Sequence, residues 1–88
     1  SKAVADGNFV ASVLDWSDGV AAVEMRNRFF EGDTLEILSA NDSFGKTFAV
    51  ADMRDENGTP VVDAKLVRQI LKLPCSYPLE KFDILRKV

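Results

Sequence analysis

The sequence contains no histidine, and it has a single cysteine, Cys75. Histidine is the commonest general base and metal ligand in enzymes, so serine–histidine and cysteine–histidine catalysis are excluded. One cysteine cannot form a disulfide within the chain, and this composition fits a reducing compartment, which predicts a cytoplasmic location. We interpret Cys75 as a buried residue at a strand end, without a chemical role.

Other kinds of site are also missing. The five glycines are scattered one per turn, so the chain has no glycine-rich loop for phosphate binding. Residues 52–58 are acidic, but they lack the alternating oxygen ligands and the late glutamate of an EF-hand, and Asn57-Gly58 indicates a hairpin turn instead. We therefore predict no catalytic residue, no metal site and no cofactor.

Positive charge is not in excess, because the chain has 11 lysines and arginines but 14 acidic residues, which gives a net charge of −3. This balance argues against non-specific binding to nucleic acid, and we expect no DNA partner. No run approaches the roughly 20 apolar residues of a membrane span, so we expect no membrane partner. Three local basic pairs stand out against this background: Arg26 with Arg28, Arg68 with Lys72, and Arg86 with Lys87.

The chain does contain short segments in which apolar residues occupy every second position. In residues 20–26, for example, Ala21, Val23 and Met25 share one face. No segment has sustained helical periodicity, and glycine- or asparagine-containing turns recur about every ten residues. We predict an all-β fold, a small antiparallel β-barrel, with one domain spanning residues 1–88. The predicted strands are residues 8–14, 20–26, 34–38, 44–53, 61–62 and 67–73, and residues 79–88 form a terminal strand or a short turn that packs on the barrel.

Residues 25–33 are the densest mixture of basic, amide and aromatic side chains. A functional interpretation makes them a surface for RNA or a partner domain, in which Arg26 and Arg28 bind phosphates and Phe29 or Phe30 stacks.

A structural interpretation of the same residues is equally simple. Asn27 and Asp33 would cap turns, while Phe29 and Phe30 enter the core, where most aromatic pairs of short domains lie.

The same segment carries a family resemblance. The strings Val23-Glu24-Met25-Arg26-Asn27-Arg28-Phe29, Gly32-Asp33 and Leu35-Glu36-Ile37 resemble the Val-x-x-Arg-Asn-x-Phe, Gly-Asp and Leu-Glu-Ile signature of the C-terminal domain of the collagenase-like peptidase family, peptidase family U-32. Asp55 to Gly58 with Pro60, Leu73-Pro74 and Asp83 to Arg86 also match. The sequence departs from the family pattern at Ser39 to Ser43, where a Pro-x-Gly turn is common.

The resemblance implies a β-barrel, similar to the barrels of translation elongation factors, that follows a larger catalytic domain. Some family members are named as peptidases, and others resemble enzymes that hydroxylate ribosomal or transfer RNA with iron–sulfur cysteines in the catalytic domain. Those cysteines have no counterpart here. Because Ser1 is not an initiator methionine, we expect a processed chain or an excised domain, and the resemblance implies that it comes from the C-terminus of a larger enzyme.

Two hypotheses follow for function. In the first, the chain is a non-catalytic accessory domain that docks on the catalytic domain of its parent chain or helps to place a protein or RNA substrate. Its candidate contact residues are Arg26, Asn27, Arg28 and Phe29. In the second, it is an RNA-binding β-barrel that serves an RNA-hydroxylating enzyme of the family. A self-sufficient hydrolase has the least support, because the chain lacks the residues for one.

Overall fold

The computed structural model describes residues 8–88, and this part of the chain forms nine β-strands and no α-helix. It accordingly contains no helix long and apolar enough to cross a membrane. The strands are β1 (Phe9–Ser17), β2 (Val20–Met25), β3 (Phe29–Phe30), β4 (Thr34–Leu38), β5 (Thr47–Ala49), β6 (Arg54–Asp55), β7 (Asp63–Ala64), β8 (Ile70–Pro74) and β9 (Ile84–Lys87).

Seven strands form one sheet in the order β5-β4-β9-β1-β2-β8-β6, and every neighbouring pair is antiparallel. The sheet curls into a half-barrel, which confirms the predicted all-β, barrel-like fold. β9 is the last strand of the chain, but it lies inside the sheet between β1 and β4. The register pairs Leu85 of β9 with Ala11 on one side and with Ile37 on the other.

The edges of the half-barrel, β5 and β6, are connected through a second sheet made of β3 and β7. On the β5 side, the Gly32 N–H donates to the Val50 carbonyl over 2.8 Å. On the β6 side, the Val61 N–H donates to the Met53 carbonyl over 2.9 Å. These bonds lie next to the edge strands. On β6 itself, the Asp55 N–H donates to the Thr59 carbonyl over 2.9 Å, which reduces the unpaired backbone that would favour aggregation.

The core fills the inside of the half-barrel, and strand alternation selects its members. In β2, Ala21, Val23 and Met25 are buried, while Glu24 between them is only half-buried on the outer face. Every strand except β5 and β6 contributes at least one buried side chain. Removing this apolar surface from water is the main force that stabilises the fold.

Strand β4 covers the residues that the pattern predicts, but the predicted strand at residues 44–53 is too long. Residues 41–46 form a turn closed by hydrogen bonds from the Phe44 N–H to Asn41 and from the Lys46 N–H to Ser43. At the other end, Val50 hydrogen-bonds to Gly32 and Asp33, in the turn between β3 and β4. Only Thr47–Ala49 remains as β5.

Four further strand boundaries differ from the prediction. The predicted C-terminal strand at residues 79–88 is too long, because only Ile84–Lys87 forms β9. β1 continues to Ser17, where the Trp16 indole N–H donates to the Cys75 carbonyl over 2.9 Å and secures the hairpin. The predicted strand at residues 61–62 forms two residues later, as β7, because that register places Ala64 opposite Phe29. β8 begins at Ile70, since Arg68 adopts a left-handed backbone with φ of 72° that interrupts a strand.

The loop at residues 39–46, where the sequence departs from the family pattern, is attached to the segment before β9. The buried Ser43 hydroxyl donates to the Pro78 carbonyl over 2.7 Å, and the Asn41 amide donates to a Glu80 carboxylate oxygen over 3.2 Å. This loop exposes Phe44. It lies at the end of the half-barrel opposite Phe9, since Leu38, which precedes the loop, pairs with Ile84, whereas Phe9 pairs with Arg86.

Candidate functional site

The segment that follows β2 holds the start of β1 in place. The Arg26 N–H donates to the Val10 carbonyl over 2.7 Å, and the Asn27 side-chain amide donates to the Phe9 carbonyl over 2.6 Å. The Arg26 guanidinium carbon lies 5.8 Å from the centre of the Phe9 ring, within cation–π distance. Arg26 and Asn27 are therefore fixed beside the point where the chain enters the domain.

Arg28 forms the best-defined ion pair of this region. Its Nε and Nη2 donate to the two carboxylate oxygens of Asp63 over 2.9 and 2.6 Å, and its guanidinium carbon lies 5.0 Å from the centre of the Phe30 ring. The hydrogen bonds and charge of Arg28 lower the pKa of Asp63, and those of Asp63 raise the pKa of Arg28. A guanidinium that binds a carboxylate in bidentate fashion and stacks on an aromatic ring, as Arg28 does on Phe30, has a fixed orientation.

Replacing Asp63 by asparagine is expected to lower the stability of the domain slightly at neutral pH. The lowered pKa means that the native state favours the ionised carboxyl, so its contribution is present above the ordinary aspartate pKa and disappears as the pH falls through the lowered value. The variant should therefore match the original chain in strong acid and be less stable at neutral pH. Urea denaturation at both pH values measures this, and an equal deficit at both would contradict it.

The two adjacent phenylalanines point in opposite directions, as neighbouring side chains of a strand do. Phe29 is completely buried opposite Ala64, whereas Phe30, opposite Asp63, is 40% exposed. Asp33 caps the following turn, as the structural interpretation predicts, by accepting the Phe30 N–H over 2.8 Å. Phe29 is therefore a core residue with no surface for a partner, and Phe30 carries the accessible ring.

The structure adds Arg68 to the predicted contact residues. The Arg68 N–H donates to the Met25 carbonyl over 2.7 Å, which brings it beside Arg26. Glu24 lies between the two side chains, with a carboxylate oxygen 3.7 Å from the Nε of each. The sequence grouped Arg68 with Lys72, and only the pairing of β2 with β8 reveals that it neighbours Arg26. We call Arg26, Arg28 and Arg68 the arginine surface.

Exposed aliphatic side chains adjoin the arginine surface. Val62, Leu66 and Val67 are each at least 60% exposed, and we call them the aliphatic patch. Val62 directly precedes β7, whereas Leu66 and Val67 lie in the segment from β7 to β8, between Asp63, the partner of Arg28, and Arg68. No alternation marks these residues in the sequence, which predicted strands at 61–62 and 67–73 in their place.

The groups gathered here are suited to binding. Within residues 8–88, no three of the Cys, Asp and Glu side chains come together to hold a metal ion. The Cys75 thiol is buried directly after β8, as predicted, and burial raises its pKa. This disfavours the thiolate that nucleophilic chemistry requires. The arginine surface, the Phe30 ring and the aliphatic patch offer charge, π and apolar contacts.

The fold and this surface together define a small all-β domain, a half-barrel with the arginine surface beside the start of β1. The model of the peptidase family U32 C-terminal domain matches residues 6–86, and the chain belongs to this family. No curated protein matches the chain.

Two solved structures of a relative support the assignment. The C-terminal domain of a predicted U32 peptidase from Geobacillus thermoleovorans is 29% identical to the chain, with a TM-score of 0.86 and coverage of 92% of each chain. Its selenomethionine variant is 30% identical, with a TM-score of 0.83 over 90% of this chain and 98% of the other. The resemblance to family U32 that the sequence predicts is thus confirmed.

Proposed function

We propose that this C-terminal domain is a non-catalytic accessory module that docks on the catalytic domain preceding it in a U32 protein and thereby helps to place the substrate. The observation that carries the proposal is the set of contacts that Arg26 and Asn27 make with the start of β1. Arg26 donates its N–H to Val10 and lies over the Phe9 ring, and Asn27 donates to the Phe9 carbonyl. A preceding domain would be connected through the segment that leads into β1 at Phe9. The candidate contact residues therefore lie beside the first residue of that strand.

The rigidity of the contact region supports this role. Arg28 is held by two hydrogen bonds to Asp63, and the Phe30 backbone is held by Asp33. Side chains that are ordered before binding lose less conformational entropy when an interface forms. Asn27 would act by fixing the loop through Phe9, whereas Arg26 and Arg28 would contact the partner directly.

The proposal assigns the chemistry to the catalytic domain. The chain has no histidine and its one thiol is buried, so the groups of a peptidase centre would have to come from elsewhere. A cytoplasmic location is part of the proposal, supported by the single unpaired cysteine.

The test is a full-length U32 protein carrying this domain in which Arg26 and Arg28 are both replaced by alanine. We expect faster limited proteolysis of the connection between the domains and a several-fold loss of activity, because two charged contacts are removed from the interface. The matched control replaces Lys46 and Lys81, two exposed cations in the segments that precede β5 and β9, and should change neither property. Unchanged proteolysis and activity in a folded Arg26→Ala, Arg28→Ala variant would count against the proposal.

A second candidate function, RNA binding, is favoured by one observation. Arg54 and Lys72 lie directly opposite each other on adjacent strands, both exposed, and β8 leads back to Arg68 near Arg26. The Arg54 Nη2 also donates to the Asp52 carboxylate over 2.9 Å, so a bound phosphate would compete with Asp52 for this side chain. Four cations thus lie on or next to β2, β8 and β6 on a chain that is acidic overall.

Measuring the affinity for a single-stranded RNA oligonucleotide at increasing salt concentration distinguishes the RNA-binding function from the docking function. If phosphates bind along these strands, affinity falls with salt, and the Arg54→Ala, Lys72→Ala variant loses about 1.4 from the slope of log affinity against log salt, about 0.7 for each lost contact. Absence of binding by the original chain at low salt would remove this candidate.

A further inference from the structure

The hairpin turn at residues 55–58 contains an asparagine followed by a glycine, Asn57-Gly58. The backbone nitrogen that follows an asparagine can attack the carbon of the side-chain amide, and glycine has no side chain to obstruct this attack. The other asparagines of the chain all precede a larger residue, in Asn8-Phe9, Asn27-Arg28 and Asn41-Asp42. Asn57 is therefore the asparagine at which the sequence most favours such a reaction.

The Asn57 side chain is accessible in the folded domain. Residues 56–60 are all exposed, and no group within residues 8–88 is hydrogen-bonded to the Asn57 side-chain amide. By contrast, the side-chain amides of Asn27 and Asn41 donate to the carbonyls of Phe9 and Pro78. Water therefore reaches the Asn57 amide, and no bond within the described residues holds this amide away from the backbone.

The second reacting atom, the backbone nitrogen of Gly58, is held by the turn. Its N–H donates to the Asp55 carbonyl over 3.0 Å. The Asp55 carboxylate secures the same turn, because its Oδ1 accepts the N–H of Asn57 over 2.9 Å and that of Thr59 over 3.0 Å. The Gly58 nitrogen attacks only after it loses the proton that the Asp55 carbonyl binds, so the turn has to open locally before the reaction can start.

We propose that Asn57 is a site of spontaneous modification, and that Asp55 controls the rate by keeping the turn closed. In the reaction, the Gly58 nitrogen forms a bond to the side-chain carbon of Asn57, and ammonia leaves to give a succinimide ring. Water then opens the ring at either carbonyl, which yields aspartate or isoaspartate. The reaction needs no oxidant, reductant or enzyme, since water is its only other reactant.

The products would change one edge of the half-barrel. Either product adds a carboxylate to a segment that already contains Asp52, Asp55 and Glu56. Isoaspartate also carries the main chain through the side-chain carbon, which alters the spacing that the hydrogen bond between Asp55 and Gly58 requires. Because β6 consists only of Arg54 and Asp55, the isoaspartyl form should loosen the pairing of β6 with β8.

The test incubates the 88-residue chain in warm, mildly alkaline buffer and measures the conversion of each asparagine over time. Trypsin cleaves after Arg54 and Lys65, so residues 55–65 are released as one peptide in which Asn57 is the only asparagine. Mass spectrometry gives the fraction of this peptide in which the amide has become an acid. We expect conversion at Asn57 and none at the other three asparagines over the same period.

Replacing Asp55 by alanine tests the control of the rate. The variant should react about tenfold faster, since hydrogen bonds to a charged group contribute at least this factor to a local opening equilibrium. Glu56→Ala is the matched control, because it removes the same charge from an exposed residue that makes no hydrogen bond within residues 8–88. Its rate of conversion at Asn57 should stay close to that of the original chain.

The site and its control can fail separately. Asn57 is not a modification site if it remains an amide in both the original chain and the Asp55→Ala variant, or reacts no faster than Asn27 and Asn41. Equal rates in the Asp55→Ala and Glu56→Ala variants would overturn the role of Asp55. If Asp55→Ala fails to fold, the original chain is compared with and without urea, and an equal rate in both would show that the turn gives no protection.

Discussion

Replacing Phe29 by alanine is expected to remove about 3–5 kcal/mol from the free energy of unfolding, the range typical of deleting a buried aromatic ring. Phe29 is the largest completely buried side chain, and it packs where the two-stranded sheet meets the half-barrel. A domain of this size has a total stability of about 5–10 kcal/mol, so the variant should be close to unfolding at ambient temperature. Urea denaturation followed by Trp16 fluorescence measures the change.

The control for this prediction is the neighbouring residue. Alanine at Phe30, whose ring is partly exposed beside Arg28, should cost far less than alanine at Phe29. The pair therefore separates the two roles that the sequence left open for these phenylalanines. Equal losses, or a Phe29→Ala variant as stable as the original chain, would contradict the placement of Phe29 in the core.

A chain that ends at Asp83 is expected not to fold. The missing residues include all of β9, which is hydrogen-bonded to β1 and to β4, so the truncation detaches β4 and β5 from the rest of the half-barrel. It also removes Leu85, which is completely buried. Circular dichroism should show no cooperative thermal transition.

Removal of Val88 alone is the matched control. Val88 is exposed, and its N–H donates to the Thr34 carbonyl over 3.1 Å, so its loss leaves β9 complete. This shorter chain should melt within a few degrees of the original. A cooperative transition in the chain that ends at Asp83 would mean that the order of the strands is not as described.

Local pattern was sufficient to predict the parts of the fold that depend on alternation and turn chemistry. β2 and β4 show apolar residues at every second position, and both strands form at or within one residue of the predicted bounds. The turn at residues 55–58 is also confirmed, since the Asp55 carboxylate accepts the N–H of Asn57 and Gly58 takes a φ of 85°. These features are decided by neighbours in the sequence.

Features that depend on distant pairing were not predictable from pattern. β3 and β7 have two residues each, too few to show a period, and they exist because Phe29 and Ala64 meet across 35 positions of the chain. The candidate contact site shows the same limit. Arg26 and Arg28 stand out as a local basic pair, but Arg68 and the aliphatic patch join them only after β8 pairs with β2.

The internal position of β9 has a consequence for biosynthesis. A ribosome retains the most recently joined residues in its exit tunnel. The backbone groups of β1 and β4 that bond to β9 therefore have no partner until Lys87 has emerged. Any domain encoded upstream would have finished folding by then, because domains made first generally fold first. In such a protein, the half-barrel would assemble against a finished neighbour, and the neighbour's surface would be available to shield the incomplete sheet.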